Sequence, residues 1–254
     1  FKTISIVNQK GGVGKTTTAI NLGTALAAID KNILLIDLDP QGNLSTGIGI
    51  TEKQRKTSVY DLITQEVSID KTILDTKIPN LKIIPSNVNL SGIEFELATD
   101  EARAIKLNSK INNLNDKFDL VLIDCPPSLG ILTVNSLVAS DSVLVPLQCE
   151  FYALEGLAQL LRTVEKVKDN LNPSLFLEGV ILTMFDSRNR LSEDVVNDAR
   201  EYLGEKVFQT IIPRNVRLSE APSHGLPAII YDQTCIGSIA YIDLAKELIS
   251  RLEI

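Results

Sequence analysis

The 254-residue sequence has no tryptophan, one histidine, one methionine and only 5% aromatic residues. It therefore offers no row of exposed rings on which single-stranded nucleic acid could stack. Positive charge is also in deficit: 25 Lys and Arg against 32 Asp and Glu leave a net charge of -7. That balance removes any general attraction to polyanions, so a nucleic-acid contact would have to come from a local patch. Cys125, Cys149 and Cys235 are far apart and form no Cys-x-x-Cys pair. This spacing argues against a cysteine-ligated zinc or cluster site and for reduced structural thiols. The lone His224 has no Gly-x-Ser-x-Gly companion, so it reads as a loop residue, and Ser128 as a turn residue, not as members of a hydrolase triad. No apolar run approaches the ~18 residues of a membrane span, and no charged-then-apolar leader precedes the first strand. The expectation is a soluble, cytoplasmic protein.

What is present is concentrated near the start. Ile4-Ser5-Ile6-Val7 runs into Gln9-Lys10-Gly11-Gly12-Val13-Gly14-Lys15-Thr16-Thr17, followed by the helical spacing Ala19, Leu22, Leu26. A strand, a glycine turn and a helix in this order cradle phosphate oxygens, because glycines admit positive φ and the helix N-terminus adds its dipole. Lys15 would reach the β and γ phosphates and the Thr16 hydroxyl would bind Mg²⁺. The common pattern has glycine five residues before Gly14, where Gln9 stands instead, and an additional lysine, Lys10, lies just inside the loop.

Further along, apolar strands are expected at Ile33–Ile36, Leu81–Pro85, Asp119–Asp124, Ser142–Leu147, Gly179–Met184 and Val207–Ile212. Helical patterns cover 90–114, 129–139, 154–170, 192–203 and 236–252, and the polar stretch 44–75 reads as loops and short helices. Strands that are apolar throughout belong to a parallel sheet covered on both faces. The fold class is therefore α/β, a doubly wound, mostly parallel sheet with helices on both faces, expected as one domain over 1–254. Ligands bind such sheets at the carboxyl ends of the strands, where the glycine loop, the Asp37/Asp39 end and the Asp124 end converge. Aspartates there suit a Mg²⁺ shell and the placement of an attacking water, although an aspartate after a strand also caps turns.

Four segments carry a resemblance: Lys10–Thr16, Leu35–Asn43, Val121–Ser128 and Ile212–Ser223. Together they resemble the ParA/Soj chromosome-partitioning ATPases, P-loop proteins of the deviant Walker A class related to MinD. The resemblance implies ATP and Mg²⁺ as cofactors and an ATP-dependent sandwich homodimer. Lys10, Lys15 and Asp39 are the implied catalytic residues, with Lys10 crossing to the partner's ATP and Asp39 orienting the water. Nucleotide binding falls to Lys10, Gly11, Gly12, Val13, Gly14, Lys15, Thr16 and Thr17, with Pro213 and Asn215 at the adenine. Thr16 holds the metal, and Asp124 and Asp39 reach it through water.

The same resemblance implies non-specific double-stranded DNA as a partner, bound by Arg188 and Arg217 with Arg190, Arg214, Lys246 and Arg251 as possible additions to that face. It also implies a ParB/Spo0J-type activator, nucleoid association and no membrane. Phe1 in place of methionine is read as the loss of one or a few residues, and no separate DNA-binding domain is expected before the first strand. A MinD-like membrane-associated ATPase is the alternative; it would carry a basic amphipathic C-terminal helix, whereas Leu244–Ile254 has balanced charges and core-like spacing.

Overall fold

The computed structural model describes residues 1–65, 67–114 and 117–253; Glu66, Asn115, Asp116 and Ile254, part of the expected 1–254 domain, lie outside the described residues. The strands are β1 (Lys2–Ile6), β2 (Ile33–Asp37), β3 (Leu74–Asp75), β4 (Leu81–Ile84), β5 (Leu120–Asp124), β6 (Ser142–Gln148) and β7 (Phe176–Thr183). They form one sheet in the order β3-β4-β2-β5-β1-β6-β7, parallel except for β3. The helices are α1 (Lys15–Ala27), α2 (Asn43–Gly47), α3 (Val59–Thr64), α4 (Ile93–Glu96), α5 (Lys106–Ile111) and α6 (Ile131–Val138), then α7 (Ala153–Asn170), α8 (Arg190–Leu203), α9 (Val216–Glu220), α10 (Ala228–Tyr231) and α11 (Ile236–Leu252).

Alternation along each strand divides the core in two. Leu34, Ile36, Val121, Ile123, Val143 and Val145 face one layer, which α3, α5, α6, α7 and α8 cover. Ile33, Leu35, Leu120, Leu122 and Leu144 face the other, which is packed by α1 and α11. This is why the strands read as continuous apolar runs: both faces are covered. The terminal helix α11 buries Tyr241, Leu244 and Leu248, and the Tyr241 hydroxyl meets Thr18 Oγ1 of α1 at 3.0 Å. Among the described residues no helix is long and apolar enough to cross a membrane.

Three local expectations differ from the fold. Residues 207–212 are not a strand but make isolated bridges, Val207 to Val180 and Pro213 to Phe185. The backbone N–H groups of Gln209 and Thr210 donate to the Glu247 carboxylate at 2.8 and 2.9 Å, which removes them from any ladder. The expected helix over 90–114 is broken into α4 and α5, because Asp100 Oδ1 accepts from Ala102 N and turns the chain between them. Within 44–75, β3 adds a two-residue antiparallel edge, too short to leave a pattern.

Candidate active site

A cavity of about 1030 Å³ opens at the carboxyl ends of the strands, lined by the glycine loop, 39–47, 126–128, Thr183–Met184 and 212–215. Gly12 and Gly14 have φ of 76° and 93°. A Cβ at Gly11 or Gly12 would meet no atom within 4 Å, so open space lies over the loop. Gly14 also caps α1 without a side-chain bond, leaving the first helical N–H groups for a ligand. The loop is anchored from beneath by Thr183 Oγ1, which donates to the Val13 carbonyl at 2.9 Å.

Lys15 is 7% exposed, and its Nζ donates to the Lys10 carbonyl at 2.9 Å. Burial lowers its pKa, against the pull of Asp124 and Asp39. Thr16 Oγ1 donates to Asp124 Oδ2 at 2.7 Å. Asp124 is fully buried, and its other oxygen, Oδ1, has no hydrogen-bond partner among the described residues. Burial raises the Asp124 pKa well above the usual carboxylate range, and Asp37, directly opposite in the β2–β5 register, raises it further. An orphaned buried carboxylate oxygen beside a threonine hydroxyl is a hard-oxygen donor set that fits Mg²⁺.

Asp39 is 9% exposed and lines the cleft; its Oδ1 accepts from Gln41 N at 2.9 Å. Lys10 is half-exposed and ion-pairs with Glu150, a partner that sequence reasoning missed. Gln9, in the place of the usual glycine, reaches the same region by donating to the Gly156 carbonyl at 3.3 Å and Gln159 Oε1 at 3.1 Å. Its amide is the signal that could have tied the loop to α7. Met184 lines the cleft at φ 53°, a left-handed position rare for its type, and nothing in the sequence marked it.

Pro213 and Asn215 also line the cavity, but Asn215 Oδ1 already accepts from Arg217 N as the cap of α9, so one acceptor site of its amide is in use. Arg214 joins the cavity lining, whereas Arg188, Arg190, Arg217 and Arg251 do not. Arg188 forks onto Asp186 at 2.9 and 2.8 Å, which holds the Asp186 carboxyl well below its usual range. Arg217 meets Glu220 at 2.7 Å and Asp232 at 3.4 Å. Lys246 pairs with Asp243. Arg251 is a structural residue: it donates to the carbonyls of Glu205 and Val207 and lies 3.9 Å over the Phe208 ring.

A family model described as an AAA domain matches residues 1–177. The chain is 54% identical over 253 residues to the chromosome partitioning protein ParA of Caulobacter vibrioides, covering 99% of this chain and 95% of that one. The chain belongs to the ParA/Soj family of chromosome-partitioning P-loop ATPases. It is 50% identical to the sporulation initiation inhibitor protein Soj of Bacillus subtilis, over 97% of this chain and 98% of that one. Its fold is similar to that of cobyrinic acid a,c-diamide synthase from Mycobacterium smegmatis, solved with an ATP analogue and magnesium: TM-score 0.89, 36% identity, 99% and 95% coverage.

None of the three cysteines lines the cavity. Burial pushes Cys125 up to about 12 and Cys149 up to about 11. Since the thiolate is the nucleophile, iodoacetamide at pH 8 is expected to label Cys235 alone in the native protein. Peptide mass spectrometry checks this, and equal labelling of all three cysteines would contradict the burial of the first two.

Proposed function

We propose that the chain is an ATP-driven DNA-partition ATPase acting as one domain over 1–254, in which Mg²⁺-ATP joins two subunits and hydrolysis separates them. The observation that carries this reading is the Asp124 oxygen left without a partner beside Thr16, at the foot of an open cradle of left-handed glycines. Bound there, Mg²⁺ would offset negative charge on the β and γ phosphates. Thr16 would be its direct ligand, with Asp124 and Asp39 acting through water. Gly11 to Thr17 would hold the phosphates with their N–H groups, Lys15 would supply the cation in cis, and Pro213 with Asn215 would border the adenine. Asp39 would orient the attacking water.

Lys10 would act across the interface of the homodimer. Its half-exposed side chain, tethered to one carboxylate, supports that role because a single exchange of partner frees it. In the dimer, Arg188 and Arg217 would bind duplex phosphates without reading sequence, and each must exchange a carboxylate for a phosphate to do so. A ParB/Spo0J-type partner would stimulate hydrolysis, and the protein would be cytoplasmic and nucleoid-associated.

Sedimentation tests the reading. The chain with Mg²⁺-ATP and non-specific duplex should form heavy species that disappear when ATP is exhausted. Pelleting with anionic lipid vesicles in place of DNA would favour the membrane alternative. The double variant Arg188→Ala/Arg217→Ala should keep basal hydrolysis. It removes about four phosphate contacts per dimer, so the slope of log K against log salt should flatten by roughly 3 to 4. Undiminished duplex binding at matched salt would remove these arginines from the interface.

A further inference from the structure

Behind the cleft wall lies a buried cation that does not touch the cavity. Arg55 is 8% exposed, and none of the described carboxylates lies within ion-pair distance of it. Its guanidinium is committed to one loop. Nε and Nη2 donate to the Ile50 carbonyl at 3.2 and 2.7 Å, Nη2 to Thr46 Oγ1 at 2.7 Å, and Nη1 to the Gly42 carbonyl at 3.3 Å. Thr46 Oγ1 donates to the same Gly42 carbonyl at 3.0 Å.

Gly42, at φ 64°, closes the turn that begins at Asp39, since its N–H donates to the Asp39 carbonyl at 2.9 Å. The Asp39 carboxylate stiffens that turn from within by accepting from Gln41 N. A Cβ on Gly42 would run into Arg55 Nη1, so guanidinium and turn are packed as closely as glycine permits. Burying a guanidinium whose nearest carboxylates, Asp37 and Glu52, lie beyond ion-pair distance is costly, and a neutral side chain could hold a turn for less. What the planar fork adds is geometry: several donors in a fixed plane set the loop in one position.

We propose that Arg55 is a positioning residue for Asp39: it fixes the 39–42 turn and the start of α2 from behind so that the Asp39 carboxylate is aimed into the cleft. The proposal rests on the role given to Asp39 above. It is tested in the full chain with Arg55→Lys, which keeps the charge and loses the fork, measuring phosphate release and the affinity of a fluorescent ATP analogue. Turnover is expected to fall about ten- to a hundredfold while nucleotide affinity stays within about twofold, the signature of a misplaced catalytic group. Combined with Asp39→Ala, Arg55→Lys should cause no further loss, because it acts through the missing carboxylate.

Wild-type turnover in Arg55→Lys, beside an inactive Asp39→Ala, would overturn this proposal alone. So would parallel losses of affinity, turnover and melting temperature, or a loss that multiplies with that of Asp39→Ala. Full turnover in Asp39→Ala would overturn the assignment of Asp39 and this proposal with it. Should Arg55→Lys fail to fold, Arg55→Gln, which retains an N–H donor, is read by the same criteria.

Discussion

Lys15→Ala is expected to lower kcat/KM for ATP hydrolysis by at least about 10³-fold, the scale on which a cation aimed at a transferring phosphoryl group acts. Three effects combine. The variant loses the ammonium itself, and it leaves the Asp124 and Asp39 carboxylates facing the phosphates without the charge that offsets them. It also releases the Lys10 carbonyl, which Lys15 Nζ holds at 2.9 Å, and so loosens the entry of the glycine loop. Equilibrium dialysis with ATP and phosphate release check the expectation. Full turnover would remove Lys15 from the phosphate site.

Asp39→Ala should behave differently: nucleotide affinity within a few-fold of wild type, turnover reduced about 10²- to 10⁴-fold, and dimers accumulating with ATP. The loss has two sources that a second variant separates. Asp39 Oδ1 caps Gln41 N, so alanine removes both a charge and a turn contact. Asp39→Asn keeps the acceptor and removes the charge. If asparagine is as inactive as alanine, the carboxylate is what matters; if asparagine turns over normally, only the turn does. Sedimentation velocity with ATP and single-turnover phosphate release decide between these outcomes.

The phosphate cradle was legible because glycine is required where the backbone goes left-handed and because Ile33–Asp37 and Leu120–Asp124 are buried on both faces. Those residues have few tolerated replacements, so their pattern is strong. The segment 207–212 has the composition of a strand, and Phe208 and Ile212 do donate to β7, yet the N–H groups of Gln209 and Thr210 between them are taken by a carboxylate thirty-eight and thirty-seven residues away. No local pattern reports such a competitor. Likewise the charge-rich helical spacing over 90–114 gives no sign of the turn at Asp100 that separates α4 from α5.

In the site itself, sequence brought Lys15, Thr16, Asp39 and Asp124 to one place, and the cleft gathers them. Contacts that depend on two distant elements could not be read: Glu150 on Lys10, Thr183 beneath Val13, and Arg55 behind Gly42. Each joins side chains of ordinary type whose spacing carries no period.

The pairing of Lys10 with Glu150 bears on how steeply assembly responds to ionic conditions. If Lys10 serves a second subunit, as proposed above, one ion pair would be replaced by another and no charge contact would be created from nothing. Salt weakens the starting pair and the final pair alike, so this lysine contributes little to the salt sensitivity of dimer formation. On the proposed function, the encounter of two such subunits would then be governed by whether nucleotide is present, and the salt dependence of the cycle would arise at the proposed contacts of arginines with duplex phosphates.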